Sequence, residues 1–273
     1  MDFEENRLWL QNLLRKNFGN DVLILAGDVT HDFGLLREWL EKIRCRFGRV
    51  FFVPGNHDLW IRNELWADSL QKFNAIIEFC SQNDIDIQPD IVQCNGKKIA
   101  IVPVFSWYDM QGEVDSLYLP KPGEDTSNRM WSDLYYIHWP ATNGFVASKY
   151  FLTYSRQNLV FDQADLIVTF SHFLPRREVM FRGEMIYDYD RMKKYDRFPQ
   201  FNFSGIAGSL KIDRFIRSIG AHIHVYGHQH INRDKVIDGI RYVANHLAYP
   251  HERNRGIVTE IEQGLKALCP LSA

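Results

Sequence analysis

The sequence has few cysteines and no excess of charge of either sign, and both features narrow the class of protein. Its four cysteines are widely spaced and form no Cys-x-x-Cys pair, which argues against a zinc ribbon and against a disulfide framework. The formal net charge is -2 and no run of basic residues stands out. Bulk electrostatics therefore give no reason to expect binding to nucleic acid or to an acidic membrane.

Segments typical of exported or membrane-inserted proteins are also missing. Met1 is followed by Asp2, Glu4 and Glu5 rather than by the basic and apolar regions of a signal peptide. No apolar run approaches the length of a membrane span. With 45% hydrophobic and 24% charged residues, the composition is ordinary for a soluble globular protein. We expect reduced thiols and a soluble protein of the cytoplasm or another intracellular compartment.

Helix and strand patterns alternate along the chain of 273 residues. This order predicts parallel strands joined by crossover helices. The apolar spacing predicts helices over residues 6–17, 33–47, 63–84, 155–161 and 212–219. Strands are predicted over residues 21–26, 49–53, 99–104, 165–170, 221–226, 239–245 and 256–262. No repeat or linker interrupts the chain, so we expect a single domain over residues 1–273.

The stretch at about 106–154 departs from this alternation. It is rich in tryptophan and tyrosine, and it is long for a loop without structure of its own. It is therefore either a functional lid or an insertion that carries short helices. Its aromatic side chains either contact substrate or pack the insertion onto the body of the protein. We hypothesise that this insertion influences the choice of substrate.

Residues able to bind a metal follow the predicted strands at their carboxyl ends. They are Asp28, Asn56, His172, and His228 with His230. In an open α/β sheet, ligands bind at the carboxyl ends of the strands. Residues two positions apart in an extended segment point to the same side, so the last two histidines can face one cavity. The sequence therefore places five candidate ligands at one edge of a sheet.

Each of these residues taken singly has a less specific interpretation. The segment 53–58, Val-Pro-Gly-Asn-His-Asp, also fits a polar turn whose Asn and Asp hydrogen-bond their own backbone. A lone histidine is more commonly a structural residue than a ligand. The recurrence of such residues at four strand ends favours a site.

The chemistry of these donors indicates the kind of ion that they would bind. A mixture of carboxylate, amide oxygen and imidazole suits borderline divalent ions such as Mn²⁺, Fe²⁺, Zn²⁺ or Co²⁺. The absence of thiolates argues against a structural zinc site. Ions of this kind serve hydrolysis, because they lower the pKa of bound water and hold substrate oxygens.

The motifs Gly27-Asp28, Gly55-Asn56-His57-Asp58, the strand ending in His172, and Gly227-His228-Gln229-His230 resemble those of the calcineurin-like metallophosphoesterase superfamily, in the same order. The closing segment 248–253 resembles that of a plant and microbial branch of the superfamily. The resemblance implies an α/β fold, a four-layer α/β/β/α sandwich of two mixed sheets flanked by helices. It also implies a two-metal enzyme that hydrolyses a phosphomonoester or phosphodiester through a metal-activated water.

The resemblance assigns metal-binding roles position by position. Asp28 would bridge the two metal ions. Asn56, His172 and His228 would complete the shell of one ion, and His230 would serve the other.

It likewise assigns catalytic and substrate-binding roles. His57 would stand beside the leaving-group oxygen, as an acid or as a transition-state donor, and His57 and Asp58 are expected to be catalytic. Asn56, His57 and Arg176 would contact the phosphate of the substrate.

The sequence departs from the superfamily at two places. The superfamily opens with a strand ending in Asp-x-His, whereas residues 1–27 contain no histidine, and residues 2–6 resemble the segment directly downstream of that motif. We therefore expect either a sequence that starts after the motif or the loss of half the metal site, with reduced stability in both cases. Second, His31 occupies the position of an acid that often orients the catalytic histidine; Asp32 could replace that acid.

These departures keep other functions open. The alternative is a catalytically impaired relative that binds a phosphate ligand or acts as a scaffold. A structural metal protein is disfavoured, because the ligands lie on strand-end loops.

Overall fold

The structure is a computed structural model that describes residues 1–62, 66–142, 144–156, 161, 163–181, 198–255 and 264–268. The strand predicted over 256–262 and most of the helix predicted over 155–161 lie outside these residues.

Helices and strands alternate through the first half of the chain, as predicted. The α-helices are α1 (Glu4–Leu13), α2 (Phe33–Arg44), α3 (Ser69–Gln82), α4 (Asp133–Tyr136), α5 (Ala147–Tyr154), α6 (Leu210–Ser218) and α7 (Pro250–Arg253). The strands are β1 (Phe18–Leu25), β2 (Phe47–Phe52), β3 (Asp90–Cys94), β4 (Lys97–Pro103), β5 (Leu166–Ser171), β6 (Ile223–Tyr226), β7 (Arg233–Ile237) and β8 (Ile240–Ala244). Short 3₁₀ turns cover His57–Leu59, Arg177–Val179 and Phe203–Ile206.

The strands in the described part of the chain form two sheets, which confirms the predicted fold class. In the smaller sheet β1 and β2 pair in parallel. The larger sheet has the order β3-β4-β5-β6-β8-β7 and is mixed. Its four inner strands are parallel, and β3 and β7 pair antiparallel at the two edges. Buried side chains of both sheets belong to one continuous hydrophobic core, which includes Phe51 of β2 and Val102 of β4.

Helix α2 covers the smaller sheet with one apolar face. In α2, Leu36, Trp39, Leu40 and Ile43 recur at the spacing of one helix face and are all buried. This helix starts where the carboxylate of Asp32 accepts the backbone N–H of Leu35. Of the helix predicted over 63–84, residues 63–65 lie outside the described residues, and α3 begins at Ser69, where Asp68 caps it in the same way.

The edge strands β3 and β7 were not predicted from the sequence. Both have five residues, and each has two exposed positions among more buried ones. Such strands lack the continuous apolar run that marks the inner parallel strands. Polar residues such as Gln93 and Lys235 are consequently compatible with an edge position.

The stretch 106–154 carries the short helices α4 and α5, which confirms one of the two expectations for it. Several of its aromatic side chains pack inward: Trp107 is 5% exposed and Phe151 is 2% exposed. Other aromatic residues, including Trp131, are only partly buried. The insertion is therefore both part of the core and part of the surface near the strand ends. Among the helices in the described part of the chain, none has the length and apolarity that crossing a membrane requires.

Candidate metal centre and active site

The structure brings the residues that follow four parallel strands to one place. Ligand-type atoms of Asp28, His172 and His228 all lie within 4.8 Å of one another. Nε2 of His172 is 3.3 Å from Oδ2 of Asp28. Oδ1 of Asn56 lies 3.1 Å from the same nitrogen. These four side chains, from the loops after β1, β2, β5 and β6, form what we call the strand-end cluster.

Glycines allow the loops to approach this closely. A Cβ atom on Gly55 would lie 2.2 Å from Oδ1 of Asp28 and 2.6 Å from Cε1 of His172. A Cβ atom on Gly27 would lie 2.4 Å from the backbone nitrogen of Gly55, and the φ angle of Gly27 is +80°. Only glycine fits these contacts, which explains its presence before both Asp28 and Asn56.

Backbone carbonyls fix the orientation of the clustered histidines. Nδ1 of His172 lies 2.8 Å from the carbonyl oxygen of Ala26, so Nδ1–H donates to it. Nε2 of His228 lies 3.1 Å from the carbonyl oxygen of Ile206 and donates in the same way. The other ring nitrogen of each histidine then faces the strand-end cluster, as in metal-binding histidines.

The electrostatics of the cluster suit a divalent cation. Burial opposes ionisation of Asp28, but His172 and His57 hold the pKa of that carboxyl well below its usual range. Burial and the neighbouring His172 lower the pKa of His228, so its imidazole is neutral near pH 7. A buried carboxylate, an amide oxygen and imidazole lone pairs are the donors that borderline divalent ions prefer. The residues present thus fit such an ion.

His230 lies nearby but outside the strand-end cluster. Its Nδ1 is 2.7 Å from Oε2 of Glu252 on α7, to which Nδ1–H donates. Its ring packs edge-on against Tyr249, with 4.8 Å between ring centroids. The ring of His57 lies on the same tyrosine at 6.4 Å. Both histidines therefore contact the ring of Tyr249.

His57 is buried beside the cluster and stacked on an aromatic ring. Its backbone N–H donates to Oδ1 of Asp28 at 2.9 Å. Its imidazole lies over Trp60, with 3.6 Å between centroids and 25° between planes. Burial lowers the pKa of His57 to about 4, against the opposing charge of Asp28. The imidazole is neutral near pH 7 and can donate one N–H.

Asp58 is fully buried and its carboxylate faces the backbone of the two strand-end turns. Oδ2 accepts the N–H groups of Asp28 and Gly55, each at 2.8 Å. Oδ1 accepts those of Val29 at 2.8 Å and Thr30 at 3.1 Å. This geometry includes the hydrogen bond to its own turn that the less specific interpretation of residues 53–58 described. It extends that bonding to the neighbouring loop.

Arg176 is not brought to the strand-end cluster. Its guanidinium pairs with Glu178, its Nη1 lies 2.9 Å from Oδ2 of Asp238, and it also lies over the ring of Tyr242. Asp238 belongs to the turn before β8, at the end of that strand opposite the metal ligands. In this structure the guanidinium is occupied by acidic partners away from the phosphate position that the sequence predicted.

A cavity of about 300 Å³ opens beside His57. It is lined by His57, Trp60, Met130, Trp131, Ser132, Phe198, Phe201 and Tyr249. We call it the aromatic cavity. A larger cavity of about 550 Å³ lies between α5 and α6 and contains none of the predicted site residues. Of these two cavities, the aromatic cavity is the one lined by a predicted site residue, His57.

Sequence reasoning missed residues that complete the site. Asp133 on α4 is buried and hydrogen-bonds to Asn56, and Trp60 stacks on His57. Asp133 lies in a stretch without clear periodicity, and nothing in its sequence neighbourhood marks it. Glu252 could have been found, because it belongs to the closing segment 248–253 that the resemblance singled out.

A buried centre of carboxylate, amide and imidazole ligands at the carboxyl ends of parallel strands, between two sheets flanked by helices, defines a metallohydrolase. The sequence model of the calcineurin-like phosphoesterase family matches residues 2–232. The chain belongs to this family and is a metal-dependent phosphoester hydrolase. The function predicted from the sequence is thereby confirmed, and the impaired-relative alternative is not favoured.

The relatives agree with this assignment. The [acyl-carrier-protein] phosphodiesterase PptH of Mycobacterium tuberculosis is 25% identical over 258 residues, which cover 86% of this chain and 71% of that protein. The crystal structure of the phosphopantetheinyl hydrolase PptH from the same organism superposes with a TM-score of 0.68 at 23% identity, covering 90% of this chain and 86% of the other. The structural likeness shows that the two share a fold.

Proposed function

We propose that Asp28, Asn56, His172 and His228 hold a divalent ion at which this chain hydrolyses a phosphodiester. The observation that carries the proposal is the convergence of Asp28, His172 and His228 within 4.8 Å, with the Asn56 amide oxygen beside them. When bound, such an ion supplies a Lewis acid for phosphoryl oxygens and lowers the pKa of water. Mn²⁺, Fe²⁺, Zn²⁺ and Co²⁺ all match the donors.

A second ion is part of this proposal, with His230 as a ligand. Donation from Nδ1 to Glu252 leaves Nε2 of His230 free to bind a cation, as in a carboxylate–histidine pair. His230 also packs edge-on against Tyr249, which lines the aromatic cavity beside His57.

His57 is proposed to act on the substrate directly. Hydrolysis adds the oxygen of water to phosphorus, breaks the bond to the leaving oxygen and leaves a proton on that oxygen. Because the buried imidazole is neutral near pH 7, we assign His57 as a hydrogen-bond donor to a phosphoryl or leaving oxygen rather than as an imidazolium acid. Stacking on Trp60 fixes the plane of the ring for this role. Asp58 would hold the loops that carry Asp28 and Gly55, without contacting substrate.

For the substrate, we propose a phosphodiester whose organic group is largely uncharged, of the phosphopantetheinyl kind. The PptH relative is named for its action on acyl carrier protein. The aromatic cavity supports this class, since aside from the neutral His57 its walls are aromatic, apolar or hydroxyl side chains. Stacked rings favour an uncharged chain over a second phosphate. The single-domain organisation also stays a proposal, supported by the one continuous core.

The test combines elemental analysis of the purified chain with hydrolysis of an aryl phosphodiester in added Mn²⁺. We expect bound metal and turnover in the wild-type chain. In Asn56→Ala and in His228→Ala, turnover should be abolished and the metal should be bound more weakly. The control is His222→Ala, which removes an exposed imidazole from the same region of the chain. Unchanged turnover in either site variant would reject the ligand assignment.

A second assay addresses the substrate. The chain is incubated with a carrier protein bearing phosphopantetheine, and release of the prosthetic group is followed by intact mass. Loss of the group, with the aryl ester as a positive control, is expected. An enzyme that cleaves the aryl ester and leaves the carrier protein intact would exclude this substrate and keep the phosphodiesterase.

A further inference from the structure

Asp133 is a buried carboxylate of the insertion that reaches the strand-end cluster. It is 3% exposed, and its three hydrogen-bond donors are uncharged. Oδ1 accepts Nδ2–H of Asn56 at 2.9 Å and Nε1–H of Trp60 at 2.5 Å. Oδ2 accepts the hydroxyl of Tyr108 at 3.1 Å. Burying a carboxylate among neutral partners costs free energy, and this cost indicates that Asp133 has a function beside Asn56.

The bond to Asn56 decides which way that amide faces. A carboxylate only accepts hydrogen bonds, so the atom of Asn56 that meets Asp133 must be Nδ2. The opposite atom, Oδ1, is then turned towards His172, 3.1 Å away, and the rest of the strand-end cluster. With the reverse orientation, an NH₂ group would point at the proposed cation and could not bind it.

We infer that Asp133 is a positioning residue that holds the Asn56 amide oxygen towards the metal site and the Trp60 ring against His57. The inference rests on the proposed function, because it gives Asn56 a ligand role. Both tasks fall to one oxygen atom, Oδ1, which accepts from Asn56 and from Trp60 together. Trp60 in turn lies 3.6 Å from His57, centroid to centroid.

The same carboxylate connects the site with the wall of the aromatic cavity. Tyr108 donates to Asp133 and accepts Nε1–H of Trp131 at 3.1 Å. Trp131 lines the cavity. A continuous series of hydrogen bonds therefore runs from Trp131 through Tyr108 and Asp133 to Asn56. The insertion thus contributes a residue that hydrogen-bonds to one of the proposed metal ligands, Asn56.

The experiment measures Mn²⁺ affinity by calorimetric titration of the full chain. Asp133→Leu removes the acceptor and places a branched apolar side chain there. Because this leaves three buried donors without an acceptor, circular dichroism first checks that the variant folds. We expect Mn²⁺ affinity to fall by about 10- to 100-fold, the usual effect of losing a residue that orients a metal ligand. Asp133→Asn can still present an oxygen to Asn56 and should keep affinity within about threefold of wild type by the same principle. Asp133→Ala repeats the test should the leucine variant not fold.

The matched control is Asp109→Leu. Asp109 is a carboxylate of the same insertion, 1% exposed, that bonds to Ser148, Ser209 and Lys211 and not to the strand-end cluster. It should lower the thermal midpoint and leave Mn²⁺ affinity unchanged. An Asp133→Leu effect equal to that of Asp109→Leu would overturn the inference.

A double-mutant cycle separates positioning from general damage. If Asp133 acts through Asn56, adding Asp133→Leu to Asn56→Ala should not weaken Mn²⁺ binding further. An added loss as large as in the wild-type background contradicts the inference. Failure of the proposed function has another signature, namely a wild-type chain that binds no Mn²⁺ or an Asn56→Ala variant with unchanged affinity.

Discussion

The backbone N–H of Asp28 donates to the carboxylate of Asp58, 2.8 Å away and 30 residues further along the chain. Through Asp58, the loop after β1 and the loop after β2 share one acceptor, because Gly55 donates to the same oxygen. A second bond joins the same two loops, because the side chain of Asp28 accepts the backbone N–H of His57 at 2.9 Å. The two aspartates thus lock together the loops that carry the first two candidate metal ligands.

Replacing the carboxylate of Asp58 by an amide should destabilise the protein. In Asp58→Asn one of the two oxygens becomes an NH₂ group that faces two backbone N–H donors. Each buried donor left without an acceptor costs about 1–3 kcal/mol, so we expect a loss of roughly 2–6 kcal/mol in the free energy of unfolding. Urea unfolding followed by circular dichroism measures it.

The control for this variant is Asp68→Asn. Asp68 caps α3 by accepting the N–H of Gln71 at the surface, and asparagine caps a helix about as well as aspartate. Its free energy of unfolding should change by less than about 0.5 kcal/mol. Equal losses of unfolding free energy in the two variants would show that the four backbone hydrogen bonds of Asp58 stabilise the protein no more than a surface helix cap does.

The motif predicted a catalytic role for Asp58, and in the structure the Asp58 carboxylate accepts four backbone N–H groups. Both interpretations of residues 53–58 find support in the structure: the segment is a turn that bonds its own backbone, and it carries Asn56 to the cluster. The strand-end residues could be predicted because parallel strands bring their carboxyl ends to one edge. The partner of Asn56 could not, since Asp133 lies 77 positions away in a stretch without periodicity. Arg176 is the opposite case: it is close to His172 in sequence, but its guanidinium does not lie at the strand-end cluster.

A methyl group at Gly55 should dismantle the strand-end cluster. In Gly55→Ala the new Cβ would lie 2.2 Å from Oδ1 of Asp28 and 2.6 Å from Cε1 of His172, so both ligands must move. We expect Mn²⁺ affinity to fall at least about tenfold, as for other changes that displace ligands. Calorimetric titration measures this affinity.

The control is Gly205→Ala. The atom nearest to the new Cβ would be 3.8 Å away, an ordinary contact, so titration should give the wild-type affinity. Equal affinities in the two variants would contradict the close packing of the loops.

The aromatic cavity should discriminate among the organic groups of substrates. The insertion cannot simply be deleted to test this, since it buries Trp107 and Phe151 in the core. Trp131→Ala instead removes one wall of the cavity, and an aromatic contact is worth about 0.5–1.5 kcal/mol. We expect kcat/KM to fall about 2- to 13-fold for a diester with a large aromatic or apolar group, by that same energy. A diester with only a methyl group in its place should be hydrolysed at the wild-type rate.

Steady-state kinetics on the two diesters measure this ratio. Tyr135→Ala serves as control, because Tyr135 belongs to the same insertion, is 58% exposed and does not line the cavity. A proportionate loss on both substrates in Trp131→Ala would argue against a role in selection.

Acid should remove the stabilising contribution of Asp109. Burial raises the pKa of this carboxyl, but the bonds from Lys211, Ser148 and Ser209 outweigh it and bring the pKa below its ordinary value of 3.8. A carboxyl whose pKa is lower in the folded than in the unfolded chain stabilises the fold above its ordinary pKa. This contribution is lost as the pH falls through the folded-state pKa. At pH 6, Asp109→Asn should therefore be less stable than wild type by about 1–3 kcal/mol. The difference should shrink as the pH is lowered below about 4.

Urea unfolding at pH 6, 4.5 and 3.5 measures this difference in the free energy of unfolding. The control is Glu38→Gln, an exposed residue whose ion pair with Lys42 is worth less than about 1 kcal/mol. A difference that stays constant down to pH 3.5 would mean that the charge of Asp109 does not contribute, and that its stabilisation comes from shape and neutral hydrogen bonds alone.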